Sequence, residues 1–198
     1  MDEIIRQEIN RIVENVENKC ENLNILVTGG AGFLGSWLCD VLTEQNANVM
    51  CLDNLTSGLL ENINHLKQKK NFTYINHDIS SPYYPDRKID IIFHLASRAS
   101  RFEFERHPIQ ILKANTLGTW VVLGITKKFN ARLILASTSE VYGNPDDSHI
   151  PTSEEYHGNV NPIGPRSCYD EAKRAGEAFA MAYMLEYGLD IRIIRIFN

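Results

Sequence analysis

Tyr169 and Lys173 lie four residues apart in the segment SCYDEAKRAGEAFA, residues 167–180. On a helix this spacing sets a phenol and an ammonium one turn apart on the same face. A phenol titrates near pH ~10 in water, and a nearby cation lowers that value by favouring phenolate. A tyrosine tuned in this way can take a proton from a hydroxyl close to neutral pH. The same two residues also fit an exposed polar stripe on an ordinary helix, so spacing alone leaves both readings open. Upstream, LASTSEVYG (135–143) brings Ser137, Thr138, Ser139 and Glu140 to the end of an apolar run. Thr138 offers a hydroxyl that can bond the same substrate hydroxyl as Tyr169, and Glu140 adds a carboxylate to the same region.

A second group of residues suits a phosphate. ILVTGGAGFLGSWL places Gly29, Gly32 and Gly35 in a GxxGxxG spacing between an apolar run and a helical pattern. Glycine is needed where a strand turns sharply into a helix and the backbone must approach a pyrophosphate. The helix N-terminus then presents unpaired N–H groups and its positive dipole end. Asp53 closes the next apolar run, about twenty residues on, where a carboxylate accepts from both ribose hydroxyls and repels a 2′-phosphate. These features point to NAD rather than NADP. Asp78 closes a third run, and Leu95, Ala96 and Ser97 a fourth, all at carboxyl ends of strands, where ligands of open parallel sheets bind.

The elements that must position these residues alternate in type. Apolar runs at 24–28, 48–53, 72–78, 89–96, 131–138 and 189–197 read as strands, mostly near-continuous Ile, Leu and Val, as expected when both faces are covered. Helical patterns fall near 33–45, 107–128 and 167–187, with a weaker one near 57–69; Ser167 is a candidate N-cap, with Asp170 three residues on. The alternation predicts a doubly wound α/β domain over 23–198, a Rossmann-like parallel sheet in the order 3-2-1-4-5-6. Residues 1–22 form a leading amphipathic helix with Ile5, Ile9, Ile12 and Val16 on one stripe. The loop 143–165 holds four of the seven prolines and delays the helix that carries Tyr169.

Composition excludes several classes. The chain has 198 residues, 43% of them hydrophobic, enough for one domain with a real core, and its net charge of −5 with no lysine or arginine run argues against nucleic acid and anionic membranes. No apolar stretch is long enough to span a bilayer, and the acidic start argues against a signal peptide. The four cysteines, Cys20, Cys39, Cys51 and Cys168, show no CxxC and read as reduced thiols of a cytoplasmic protein without a metal site.

The glycine turn, Asp53, HLAS (94–97), STSEVYG (137–143) and YxxxK together resemble the extended short-chain dehydrogenase/reductase family, the NAD-dependent epimerases and dehydratases, over the whole chain past residue 22. Within it, ASTSEVYGNP and GNVNPIGPRSCYDEAKR resemble the UDP-glucuronate decarboxylase subgroup; 4,6-dehydratases carry an Asp-Glu pair in place of Ser139-Glu140, and epimerases lack the glutamate. The resemblance implies that Gly32, Phe33, Leu34, Asp53, Asn54, Ser57, Gly58, Asp78, Ile79, Leu95, Ser97, Ala136, Tyr169 and Lys173 contact NAD. It implies that Tyr83, Tyr84, Lys113, Ser139 and Asn198 lie towards a UDP-sugar, that Thr138 assists Tyr169, and that Glu140 acts near C5 of the sugar. It further implies a homodimer joined through a four-helix bundle. Three activities stay open: a decarboxylase forming UDP-xylose, a 4-epimerase or 4,6-dehydratase, and a non-catalytic NAD-binding module. Family members continue past RIFN into a smaller substrate domain, so most of that domain is expected to be missing from this chain. The segment RASRFEFERHP departs from the prolines common after HLAS; Arg98 and Arg101 there read as a solvated basic turn balancing Glu103 and Glu105, or as substrate contacts.

Overall fold

The computed structural model describes residues 3–16 and 20–197. Strands β1 (Asn24–Thr28), β2 (Asn48–Asp53), β3 (Phe72–Asn76), β4 (Ile91–His94), β5 (Arg132–Thr138) and β6 (Ile191–Ile196) form one sheet in the order β3-β2-β1-β4-β5-β6, and all neighbours are parallel. The expected fold class and strand order hold. Helices α1 (Glu3–Asn15), α2 (Phe33–Glu44), α3 (Arg101–Arg106), α4 (Pro108–Phe129) and α5 (Ser167–Tyr187) complete the chain, with four short turns of 3-10 helix. The weak pattern near 57–69 resolves into two of those turns, Leu60–Asn62 and Asn64–Gln68, of which only Leu66 is buried.

Strand geometry explains the near-continuous apolar runs. Alternate residues face opposite sides, so Leu26, Met50, Leu52, Ile92, Leu133 and Leu135 pack with Val122, Leu123 and Ile125 of α4 and Ala180 of α5. Their neighbours Ile25, Val27, Val49 and Cys51 pack with Cys39 and Leu42 of α2 and with Ile63 and Leu66. Each fully buried Leu or Ile contributes about 1.5–3 kcal/mol by leaving water. β6 lies at the sheet edge as the expected order requires, but it is not covered on both faces: Ile194 and Ile196 are exposed. Of the N-terminal stripe only Ile9 is buried, against α2, while Ile5, Ile12 and Val16 are exposed.

Three local expectations need correction. Helix α5 starts at Ser167 itself; Arg166 is its N-cap residue, without a side-chain capping bond. The chain instead enters α5 through a turn in which Ser167 N donates to Gly164 O at 3.0 Å. The segment taken as a turn, RFEFER, forms α3. It buries Phe104 against Ile111, Cys168 and Tyr169, and Pro108 then opens α4 at a position that needs no N–H partner. β3 and β4 end at Asn76 and His94, so Asp78 and Leu95–Ser97 lie just past their strands.

The β1–α2 turn is as tight as the sequence demands. Gly29 has φ +73°, and a Cβ there would meet the Ala96 backbone at 2.8 Å; a Cβ on Gly35 would overlap the Gly29 carbonyl oxygen and come within 2.7 Å of Gly30 Cα. Gly35→Ala must therefore push α2 off the turn. The expected loss is about 1–3 kcal/mol of stability, together with NAD binding, measured by thermal unfolding and titration calorimetry; an unshifted melting temperature with normal binding would contradict this packing.

Beneath the sheet ends, His94 is fully buried between Thr28 Oγ1 (2.7 Å from Nδ1) and Thr119 Oγ1 (3.2 Å from Nε2). Burial, reinforced by the Lys173 charge, pushes its pKa down to about 3. The unfolded chain takes up this proton below pH ~6.5 and the folded chain does not until about pH 3, so stability from the neutral imidazole is present above pH ~6.5 and is lost as pH falls. His94→Gln removes this linkage: in urea titrations, the stability advantage of the wild type over the variant should shrink between pH ~7 and pH ~5. A constant difference would show that His94 is not the titrating group.

Candidate active site

A cleft of about 1050 Å³ runs along the carboxyl ends of the strands, from the glycine turn to the start of α5. Gly29, Gly32, Phe33, Leu34 and Gly35 form one end of it. Asp53, Asn54, Ser57 and Gly58 form the adjoining wall, and Asp78 and Ile79 lie beside them. Leu95, Ala96, Ser97 and Ala136 floor the middle, with Thr138, Glu140, Tyr169 and Lys173 at the far end. Lys113 of α4 also lines it.

Asp53 is engaged within the protein itself. Its Oδ2 accepts from Ala31 N (2.9 Å) and its Oδ1 from Leu55 N (2.8 Å), so the carboxylate ties the glycine turn to the loop after β2. Position 58 must be small here, because a Cβ on Gly58 would sit 3.0 Å from Asp53 Oδ2. Asp78 accepts from Ser80 N and Oγ at 2.9 and 2.8 Å. Partial burial pushes its carboxyl upward, but bonds from Ser80 and Asn54 outweigh that and hold it below the ordinary range. Ser97 Oγ is buried with no protein partner. An orphaned hydroxyl on the floor, a glycine cradle and a strand-end carboxylate are the donor and acceptor set that a dinucleotide fits.

At the far end, three consecutive residues of β5 meet α5. The Thr138 hydroxyl is near enough to the Tyr169 phenol to lower its pKa, and Lys173 Nζ donates to Ala136 O at 2.7 Å. The Tyr169 ring stacks on Phe104, centroids 4.8 Å apart, and Lys173 Nζ lies 5.9 Å from the ring centroid. The expected lowering of the phenol by lysine and a nicotinamide ring together is not supplied by the lysine alone. Burial raises the Tyr169 pKa, and the Thr138 bond and Arg166 oppose it only in part; Lys173 is committed to a carbonyl rather than to the phenol. Lys173 itself is brought down to about 8 by burial, against the supporting charge of Glu177. The protein alone therefore keeps the phenol protonated.

Other residues depart from, or add to, the expected set. Tyr84 is 79% exposed, and Tyr83 packs its ring 5.2 Å from His77 and against the core, so neither lines the cleft. Ser139 begins the 3-10 turn after β5 and also stays out of the lining, while Asn198 falls outside the described residues. Arg98 and Arg101 do line the cleft, and Arg98 is ion-paired with Glu103 rather than free in solvent. Sequence reasoning missed Arg166 and Phe104. Arg166 pairs with Glu140, lies 3.7 Å from Asp170, and faces the Phe104 ring at 5.8 Å. The signal for Arg166 was its position three residues before Tyr169; nothing local marked Phe104.

A profile described as the NAD dependent epimerase/dehydratase family matches residues 25–198. UDP-glucuronic acid decarboxylase 1 of Xenopus tropicalis is 51% identical over 174 residues, covering 88% of this chain and 40% of that protein. Among solved structures, the UDP-N-acetylglucosamine 4-epimerase of Methanobrevibacter ruminantium, in complex with UDP-N-acetylmuramic acid, superposes with TM-score 0.75 at 30% identity, over 88% of this chain and 55% of that one. The dTDP-glucose 4,6-dehydratase of Bacillus anthracis, in complex with NAD, superposes with TM-score 0.72 at 27% identity, over 87% and 54%. The chain thus spans less than half of its curated relative and about half of these structures. With its glycine turn, strand-end carboxylate and Tyr–Lys pair inside the matched region, the chain belongs to the NAD dependent epimerase/dehydratase family, whose cofactor is NAD.

Proposed function

We propose that this chain supplies the cofactor-binding and proton-transfer half of an active site that converts UDP-glucuronate to UDP-xylose through a 4-keto sugar. The observation that carries the reading is the convergence of Thr138, Tyr169 and Lys173 at one end of the cleft, with Glu140 at its rim. Similarity to a UDP-glucuronic acid decarboxylase supports the choice of reaction. The glycine turn would hold the pyrophosphate, Asp53 a ribose, Asp78 the adenine amino group, and Ser97 and Lys173 the nicotinamide ribose.

When bound, NAD supplies reversible two-electron oxidation of a carbinol carbon, and its positive ring favours phenolate in the nearby tyrosine. Tyr169 takes the proton of the sugar 4-hydroxyl while Thr138 bonds the same oxygen. Oxidation at C4 makes the sugar a β-keto acid; its C5–carboxylate bond breaks, CO2 leaves, and the electron pair rests in the C4–C5 enolate. Glu140, paired with Arg166, would return a proton to C5. Tyr169 then gives its proton back to the C4 oxygen as the ketone is reduced, so the cycle closes without net redox change.

In the native full-length protein, Tyr169→Phe keeps the ring stacked on Phe104 and removes the proton acceptor. CO2 release from UDP-glucuronate should fall by about 10²–10⁴-fold, and Lys173→Met should also weaken NAD binding. Normal turnover in Tyr169→Phe would overturn the assignment and make Glu140 the next candidate base. A C4-epimerised or 6-deoxy-4-keto product without CO2 would instead identify the epimerase or dehydratase reading, and NAD binding without any product would identify a binding module.

We also propose that a second copy of this chain covers the outer faces of α4 and α5. Leu117 and Trp120 of α4 and Met181 and Leu185 of α5 are all exposed, Leu185 by 82%. Apolar helix faces of this kind pair into bundles. Sedimentation at micromolar concentration should show a dimer that dissociates in Trp120→Glu, and a monomer for the wild type would refute the pairing.

A further inference from the structure

The contacts between α5 and β5 continue past Tyr169 and Lys173. One turn on, Glu177 Oε1 accepts from Ser137 Oγ at 2.5 Å. Arg195 of β6, which the sheet register sets opposite Ser137, grips the same carboxylate: Nε donates to Oε1 at 3.0 Å and Nη2 to Oε2 at 2.7 Å. Arg195 Nη1 reaches on to Tyr142 OH (2.7 Å) and Glu154 O (3.0 Å). Residues 169, 173 and 177, each one turn apart, thus engage Thr138, Ala136 and Ser137. Packing alone does not call for a largely buried Glu–Arg pair here, since apolar side chains of similar volume commonly serve as well or better.

We propose that Glu177 is a positioning residue for the proton-transfer pair: clamped by Ser137 and Arg195, it sets α5 in register on β5 and stands as the counter-charge of the Lys173 ammonium. This rests on the reading of Tyr169 and Lys173 given above. The surroundings of Lys173 leave the role to Glu177. From α5, Tyr169 is a protonated phenol and Asp170 faces Arg166. From β4, His94 is a neutral imidazole. The turn after β5 contributes Glu140, already paired with Arg166, and β6 contributes Arg195, already paired with Glu177. β5 presents the Ala136 carbonyl, α4 meets α5 at Gly176 through the uncharged Asn115 carbonyl and Thr119 side chain, and Lys113 of α4, lining the same cleft, is a cation and cannot serve as counter-charge. Among the described residues, Glu177 is the anion that supports the Lys173 charge against burial.

The test follows the Lys173 side chain directly. Protein labelled with 13C at lysine Cε is titrated by NMR, with the Lys173 signal assigned from its absence in Lys173→Met. Glu177→Gln keeps an oxygen for Ser137 and Arg195 but removes the charge; the Lys173 midpoint should fall by about one pH unit. Glu177→Asp should recover part of that shift. Arg195→Gln, which frees the carboxylate from its competing cation, should move the midpoint the other way, a reversal that loosened packing would not produce. A folded Glu177→Gln with an unmoved midpoint overturns the proposal. Should Glu177→Gln not fold, an unmoved or lowered midpoint in Arg195→Gln overturns it equally. The titration needs neither cofactor nor sugar. A failure of the functional reading would appear separately, as absent NAD binding or absent CO2 release in the wild type, with the lysine midpoints still obeying the Glu177 variants.

Discussion

Lys173 Nζ donates to the Ala136 carbonyl at 2.7 Å in a largely buried place at the end of the cleft. An ammonium buried without partners costs several kcal/mol, so this contact resists any slide of α5 along β5. The neighbouring pairs depend on the same placement: the Tyr169 phenol reaches Thr138, and Glu177 reaches Ser137. On the other side of the helix, Gly176 lets α5 press on α4, where a Cβ would already lie 3.4 Å from Asn115 O. α5 is thus held between a polar seam on the sheet and a close helix contact, and the Tyr169 phenol inherits its position from both.

The same burial works against the chemistry that it positions. It lowers the Lys173 pKa to about 8 and raises that of Tyr169, in each case disfavouring the charged form. The Thr138 hydrogen bond and the Arg166 charge are too weak to reverse this for the phenol. The Tyr169 phenol is therefore protonated in the protein alone, and its charge state depends on what shares the cleft with it.

The opposite end of the cleft is governed by steric exclusion. Gly35 and Gly29 touch so closely that no side chain fits between β1 and α2. Asp53 braces that turn through Ala31 and Leu55, so the residue that would read a ribose also shapes the loop that would hold the phosphates. A change at this carboxylate therefore disturbs the shape of the turn itself.

Fold class, strand order and most element boundaries were legible in the residues, because a parallel sheet covered on both faces demands unbroken apolar runs and a phosphate turn demands glycine at set spacings. The glycine turn, Asp53 and the Tyr169–Lys173 spacing were legible for the same reason: each is set by local backbone geometry. Other features arise only once distant segments pack. Helix α3 forms around Phe104, whose partners Cys168 and Tyr169 lie more than sixty positions away in the chain. The Ser137–Glu177–Arg195 clamp joins β5, α5 and β6, and the Arg166–Glu140 pair bridges the proline-rich loop. Tyr83 and Tyr84 were expected in the cleft and are not there, since the loop after β3 turns one ring onto the core and the other to solvent. Titration behaviour was least legible. The sequence places a cation one turn from a phenol, but the depth of burial decides which charge state wins, and burial is a property of the assembled tertiary structure.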